Sequence, residues 1–79
     1  MRILDSETNR AISNISVFLT PREAREMIGY LEQLLEDPHM HHTHLNDEDY
    51  EREITLAVYT DKNLNEFDER SRNLIVEGR

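Results

Sequence analysis

The chain has no cysteine and no tryptophan, and its 79 residues include only two glycines, two prolines and one lysine. Without cysteine, disulfide bonds and thiolate metal sites are excluded. No apolar run approaches the roughly 20 residues that a membrane-spanning helix needs. Residues 1–5 also lack the apolar core of a signal peptide. We therefore expect a soluble protein of the reducing cytoplasm.

Positive charge is scarce, whereas negative charge is abundant. Nine Lys and Arg side chains stand against 17 Asp and Glu, which gives a net charge of −8. Nucleic-acid binding through phosphates requires clustered basic side chains, so we expect no direct binding to nucleic acid and none to an anionic membrane. The charge favours a protein partner with a basic surface. The alternative is that it only keeps a small protein soluble.

One amphipathic helix is predicted over residues 21–36. Thr20 is a suitable N-cap, Pro21 suits the first helical position, and Glu23 completes a capping box. Apolar residues then recur at spacings of three and four, as one buried helix face requires; they are Ala24, Met27, Ile28, Leu31, Leu34 and Leu35.

Short alternating segments predict strands on both sides of this helix. We expect a turn over residues 6–9 and a last helix that starts at an Asn65 cap, runs to about Val76 and stops near Gly78. The predicted order ββαββα, with hairpin-length gaps, indicates a two-layer α+β sandwich with one antiparallel sheet of about four strands. One domain spans residues 1–79. The predicted strands cover residues 2–5, 12–19, 40–46 and 53–60.

Four histidines fall within six residues, at positions 39, 41, 42 and 44. On a strand His42 and His44 share a face, so they are candidate ligands for a divalent transition metal. No other cofactor is expected. Two alternatives stay open: a polar strand that faces solvent or a partner, and a pH-responsive surface. Full protonation of the histidines changes the net charge from −8 to −4.

An acidic segment follows the histidines and surrounds one tyrosine. An aromatic side chain beside charged groups is typical of interface hot spots, so this segment is the candidate partner-binding site; the alternative is a solvated loop. It lacks the glycine and the ligand spacing of an EF-hand. The candidate residues are Asp47, Glu48, Asp49, Tyr50 and Glu51.

Motifs for catalysis are absent from the sequence. There is no glycine-rich phosphate loop and no nucleophile elbow. A chain this short also has little material to enclose a dry pocket of several hundred Å³. We therefore expect no enzymatic activity.

The segment His42-Thr43-His44-Leu45, followed by acidic residues and the apolar strand Ile54 to Tyr59, resembles small immunity proteins of bacterial polymorphic-toxin systems. The resemblance covers about a quarter of the chain. It implies a cytoplasmic acidic α+β protein that plugs a toxin's active site by occlusion, and it carries over no catalytic residue.

These observations favour a non-catalytic acidic binding or inhibitor protein, of the immunity or anti-defence type, that docks on a basic partner surface. Two further hypotheses remain. One is a small metal-binding domain that uses His42 and His44. The other is a structural module that forms a homodimer through an exposed sheet face.

Overall fold

The computed structural model describes residues 1–37 and 39–79 and shows an α+β protein. The contacts divide it into a central unit, residues 18–59, and a terminal unit, residues 1–17 with 60–79. That one domain spans residues 1–79 stays a prediction. In chain order the elements are β1 (Leu4–Asp5), β2 (Arg10–Ala11), α1 (Pro21–Glu36), β3 (Thr43–Asn46), β4 (Glu53–Leu56), a 3-10 turn (Leu64–Glu66) and α2 (Glu69–Glu77).

Helix α1 has the bounds and the cap that the sequence predicts. The Thr20 hydroxyl accepts a hydrogen bond from the Glu23 amide at 3.2 Å, and the Glu23 carboxylate accepts one from the Thr20 amide at 2.9 Å. Two backbone donors that have no partner within the helix are thereby satisfied. At the other end, the Asp37 amide donates to the Gln33 carbonyl at 2.9 Å.

The central unit is completed by the antiparallel hairpin of β3 and β4, against which α1 packs through β3. Leu45 lies opposite Ile54 in this hairpin and is only 3% exposed. His44 pairs with Thr55 on the opposite face, where both residues are exposed. Alternation along the strands therefore turns one face toward the helix. Leu34 is the other buried residue among those that the structure describes in this unit.

The terminal unit combines the β1–β2 hairpin with α2. Gly78 ends α2 in the left-handed region, at φ 78°, and its amide donates to the Leu74 carbonyl. The Arg2 guanidinium donates through Nε to the carbonyls of Leu74 and Ile75, at 3.0 and 3.2 Å. A cation at the carbonyl end of a helix is stabilising because it meets the negative end of the helix dipole. Phe67 and Leu74 are the buried residues of this unit.

Arg70 ties α2 to the turn between β1 and β2. Asn9 ends that turn with a left-handed backbone, at φ 62°. Arg70 Nε donates to Asn9 Oδ1 at 3.2 Å, and Arg70 Nη2 donates to the Asn9 carbonyl at 3.1 Å. The turn that the sequence predicts over residues 6–9 is confirmed.

The prediction of one four-stranded sheet is wrong, because the described residues form two separate two-stranded sheets. The predicted strand over residues 12–19 accounts for the difference. The Ile12 amide donates to the Ile3 carbonyl at 3.0 Å, and no backbone pairing continues beyond it among the described residues. Val17 and Phe18 are 48% and 91% exposed. Alternation of polar and apolar residues shows that a segment suits a strand, but a strand also needs a neighbouring backbone.

Other element ends also differ from the predictions. The predicted strands over residues 40–46 and 53–60 shorten to β3 and β4. The last helix begins after Asp68 rather than Asn65, since the Asp68 carboxylate accepts the Ser71 amide at 3.2 Å. Both residue types are good N-caps. The extended backbone of the buried Phe67, at φ −88° and ψ 156°, separates the 3-10 turn from α2.

Candidate functional site: an acidic groove beside the β3–β4 turn

The turn that joins β3 to β4, residues 47–52, is built around the carboxylate of Asp47. Oδ1 accepts hydrogen bonds from the amides of Glu51 and Arg52, at 2.9 and 3.3 Å. Oδ2 lies 3.2 Å from Arg52 Nη1 in an ion pair. The Asp47 carbonyl also accepts the Tyr50 amide at 3.1 Å. We call residues 47–52 the acidic turn. Asp47 holds the conformation of this turn through these contacts.

The pKa of Asp47 lies below its ordinary value. Desolvation pulls this pKa upward, but hydrogen bonds from the amides of Arg52 and Glu51, together with the Arg52 guanidinium, outweigh it. Hydrogen bonds likewise lower the pKa of two other carboxyls. The side chain of Thr8 is the main cause for Asp5, and the side chain of Ser71 for Asp68.

These depressed pKa values predict a loss of stability in acid. The unfolded carboxyls titrate near pKa 3.9, so their contribution is complete above that value and is lost as the pH falls through the lower folded values. We expect the urea midpoint to fall steadily below about pH 4. Asp47→Asn is expected to be less stable than the native chain at pH 7 and to lose less on acidification. Parallel losses in the two proteins would contradict the role given to Asp47.

Tyr50 is held in an unusual conformation at the tip of the acidic turn. Its φ is 56°, in the left-handed region, and the residue is 80% exposed. This conformation costs a residue with a Cβ about 1–2 kcal/mol. Burial does not offset that cost, because the ring lies mostly in solvent. Strain of this kind is often found at functional sites.

An open groove of about 270 Å³ lies between α1 and the acidic turn. It contains more negative than positive groups, because Glu26, Asp47 and Glu48 face a single arginine, Arg22. Arg22 forms an ion pair with Glu26, and its Nε lies 3.7 Å from Glu48 Oε1. The groove residues are Arg22, Glu26, Tyr30, His44, Asn46, Asp47, Glu48 and Tyr50.

His44 connects the histidine segment with the groove. Its Nδ1 is hydrogen bonded to Thr55 Oγ1 at 2.9 Å and lies 3.5 Å from Glu53 Oε1. The rings of His42 and His44 meet edge to face with their centroids 4.9 Å apart. His42 precedes β3, so the prediction that strand alternation places the two on one face stays a prediction.

His41 and His42 are joined by a hydrogen bond between their Nδ1 atoms at 2.8 Å, in which one ring donates and the other accepts. Within residues 1–37 and 39–79, no group of three or more His, Cys, Asp or Glu side chains is arranged to hold a metal ion. The assignment of His42 and His44 as metal ligands stays a prediction.

The structure brings together part of the predicted partner-binding set. Asp47, Glu48 and Tyr50 line the groove, whereas Asp49 and Glu51 are exposed on the turn and do not. Sequence reasoning missed the contribution of α1. Its groove residues Arg22, Glu26 and Tyr30 stand four apart and therefore share one helix face. That spacing can be read from the sequence. Which face of α1 lies beside the turn cannot, because it depends on how the hairpin packs against the helix.

No protein-family model, no curated protein and no solved structure matches this chain. No helix in the described part of the chain is both long and apolar enough to cross a membrane. The cytoplasmic location stays a prediction.

Proposed function

We propose that the protein is a non-catalytic binding protein whose acidic groove and acidic turn dock on a basic surface of another protein. The groove receives an arginine or lysine side chain of the partner, and Tyr50 packs against the partner beside it. The proposed protein is an inhibitor of the immunity or anti-defence type, which blocks the functional surface of the partner that it binds.

The conformation of Tyr50 carries this proposal. A large aromatic side chain is presented to solvent at the tip of a turn, on a strained backbone, and among carboxylates. Replacing it by glycine would relieve strain without emptying the core, so the benefit of the aromatic side chain to folding is small. Aromatic side chains in such positions are the residues that contribute most to binding in protein interfaces.

The charges around Tyr50 support a basic partner. Glu48 and Asp49 are exposed, and the net charge of the chain is −8. Long-range attraction of opposite charges raises the rate at which two proteins meet. The groove adds a local negative charge, because Glu26 and Glu48 share the one guanidinium of Arg22, while Asp47 is paired with Arg52.

Occlusion fits the chemistry of the groove better than catalysis does. The Asp47 carboxylate is occupied by two backbone amides and Arg52. Arg22 is held by two carboxylates, and His44 is bonded to Thr55. The side chains that have reactive chemistry are thus engaged in holding the turn and the strands. The resemblance of residues 42–45 to immunity proteins agrees with this mode of action, and we propose it on that basis.

The test is capture of a partner from the source cells, with the native chain and a Tyr50→Ala variant as paired baits. We expect the native bait to retain a protein with a basic surface, and the variant to bind that protein at least about 30-fold more weakly. Raising the salt concentration is expected to slow association with the native chain, because salt screens the attraction between the two surfaces.

A charge-matched control separates the acidic turn from the overall charge. Asp49→Lys and Glu7→Lys make the same change in net charge, but Glu7 is exposed in the β1–β2 turn of the terminal unit. We expect Asp49→Lys to weaken binding much more than Glu7→Lys. Equal effects, or a partner that Tyr50→Ala binds as tightly as the native chain, would refute the proposal.

A further inference from the structure

Helix α1 carries an exposed apolar stripe on the side away from the groove. Ile28, Leu31 and Leu35 are 58%, 40% and 74% exposed, and Ala24 continues the row. The spacings of four, three and four are those of the seam of a coiled coil. The groove residues of α1 lie on a different face, because they occupy positions 22, 26 and 30. The stripe and the groove are thus separate surfaces.

Two opposite charges flank this stripe along one edge. Arg25 and Glu32 are seven residues apart, so they follow the apolar positions Ala24 and Leu31 at equivalent places in the heptad. Both are exposed, and neither forms an ion pair with any residue in ranges 1–37 and 39–79. When two copies of this edge run in opposite directions, the unpaired cation of each copy lies beside the unpaired anion of the other.

We propose that two copies of this chain associate through the α1 stripe, with the two helices antiparallel and related by a twofold axis. Such an axis places Arg25 of each copy beside Glu32 of the other, so two ion pairs form across the contact. In a parallel pair the same edge would face the positions of Met27 and Leu34, which point into their own unit. The charge pattern therefore favours the antiparallel arrangement. It also favours a second copy of the chain as the partner that covers the stripe.

The apolar positions also fit together in this arrangement. When seam positions of the two antiparallel helices alternate, Ile28 meets Leu31 of the second copy, and Leu35 meets Ala24 of the second copy. The most exposed leucine of the stripe thus faces its smallest residue, and a large side chain fills the space that a small one leaves. In this register, Arg25 of one copy and Glu32 of the second copy are not directly opposite each other. They are offset by two residues, or about 3 Å along the helix axis, and an arginine side chain is long enough to span that distance.

One helix face is a small interface, so the dimer is expected to be weak. Interfaces below about 1,200 Å² are typical of transient complexes, and we expect a dissociation constant in the micromolar range. The acidic groove of each copy stays open because it lies on another face of α1. A dimer would therefore present two binding grooves.

Sedimentation equilibrium from low to high micromolar concentration tests the proposal. We expect the native chain to dimerise. We expect Leu35→Glu to weaken the dimer at least about a hundredfold, because each of the two copies then places a carboxylate where apolar surface would be buried. Arg25→Glu and Glu32→Arg are each expected to weaken the homodimer about tenfold, since two attractive contacts become repulsive.

Mixing the two charge variants gives the decisive result. Arg25→Glu carries two acidic residues along the edge and Glu32→Arg carries two basic ones, so the mixture should form a heterodimer at least as tight as the native homodimer. Gly29→Ala serves as a control, because an added Cβ at this position meets no atom within 4 Å. It should stabilise the helix by favouring its backbone conformation and leave the dimer unchanged.

Circular dichroism of each variant establishes that the monomer remains folded, as expected for exposed positions. A native chain that stays monomeric at the highest concentration would overturn the proposal. So would a dimer that Leu35→Glu leaves intact, since another surface would then hold it. Failure of the two charge variants to form a heterodimer would overturn the antiparallel arrangement, and binding of the stripe by a different protein alone would exclude a second copy as its occupant.

Discussion

Replacement of Leu45 by alanine is expected to lower the free energy of unfolding by about 3 kcal/mol, within the usual range for a buried leucine. Leu45 is 3% exposed and is the most buried hydrophobic residue in the described chain. Its loss leaves a cavity between α1 and the β3–β4 hairpin, which the short strands have little freedom to fill. For a small domain with a total stability of about 5 kcal/mol, this is a large fraction.

Urea unfolding monitored by circular dichroism measures this effect, and Leu35→Ala provides the matched control. Leu35 loses the same atoms but is 74% exposed, so its replacement should change the stability by less than about 0.5 kcal/mol. The comparison is made at a protein concentration well below the dissociation constant of the proposed dimer, where the chain is monomeric. Equal losses for the two variants would show that the hairpin does not bury Leu45 against the helix.

Replacement of Tyr50 by glycine is expected to separate binding from folding. Glycine accepts the left-handed backbone of residue 50, which relieves strain of about 1–2 kcal/mol. It also gives the unfolded chain more freedom, which costs about 0.4–1 kcal/mol. The net result should be a stability that is unchanged or higher by up to about 1.6 kcal/mol. Partner affinity should fall at least about 30-fold, because the aromatic side chain is gone.

This pair of measurements distinguishes a binding residue from a structural one. Isothermal calorimetry with the captured partner gives the affinity, and urea unfolding of the free chain gives the stability. Tyr50→Asn is a useful companion, since asparagine tolerates the left-handed region and keeps a side chain. A loss of stability in Tyr50→Gly that matches its loss of affinity would mean that the tyrosine supports the turn, and the proposed binding role would be wrong.

Helix α1 shows which parts of the fold are predictable from local sequence. Its start depends on contacts between Thr20 and Glu23, three residues apart, and its hydrogen bonds each span four residues. Such interactions need no distant partner, so the predicted bounds and the capping box are confirmed. The stop at Gly78 is local in the same sense, since glycine adopts the left-handed region without a Cβ penalty.

The sheet illustrates the opposite case. Residues 12–19 alternate as a strand should, yet only residues 10–11 pair with β1, because alternation does not specify a neighbouring backbone. The hairpin of β3 and β4 forms where the acidic turn brings two segments together, and its register determines that His44 and Thr55 face outward. The predicted four-stranded sheet required long-range pairing that the sequence pattern could not specify.

The candidate site was likewise predictable from the sequence only in part. The acidic segment and its tyrosine were recognisable by composition, as was the histidine cluster. The hydrogen bonds of Asp47, the strained backbone of Tyr50 and the groove that joins both to α1 were not, because none of them follows from residue types alone.

By itself, the sequence determined the charge of the molecule, the helix of residues 21–36 and the residue types that are available for binding. Those properties depend on composition and on contacts between near neighbours. Only the tertiary structure decided which carboxylates hold the turn and which remain exposed, and which face of α1 is left uncovered. The reason is that burial and pairing between distant segments are set by the packing of the hairpin on the helix.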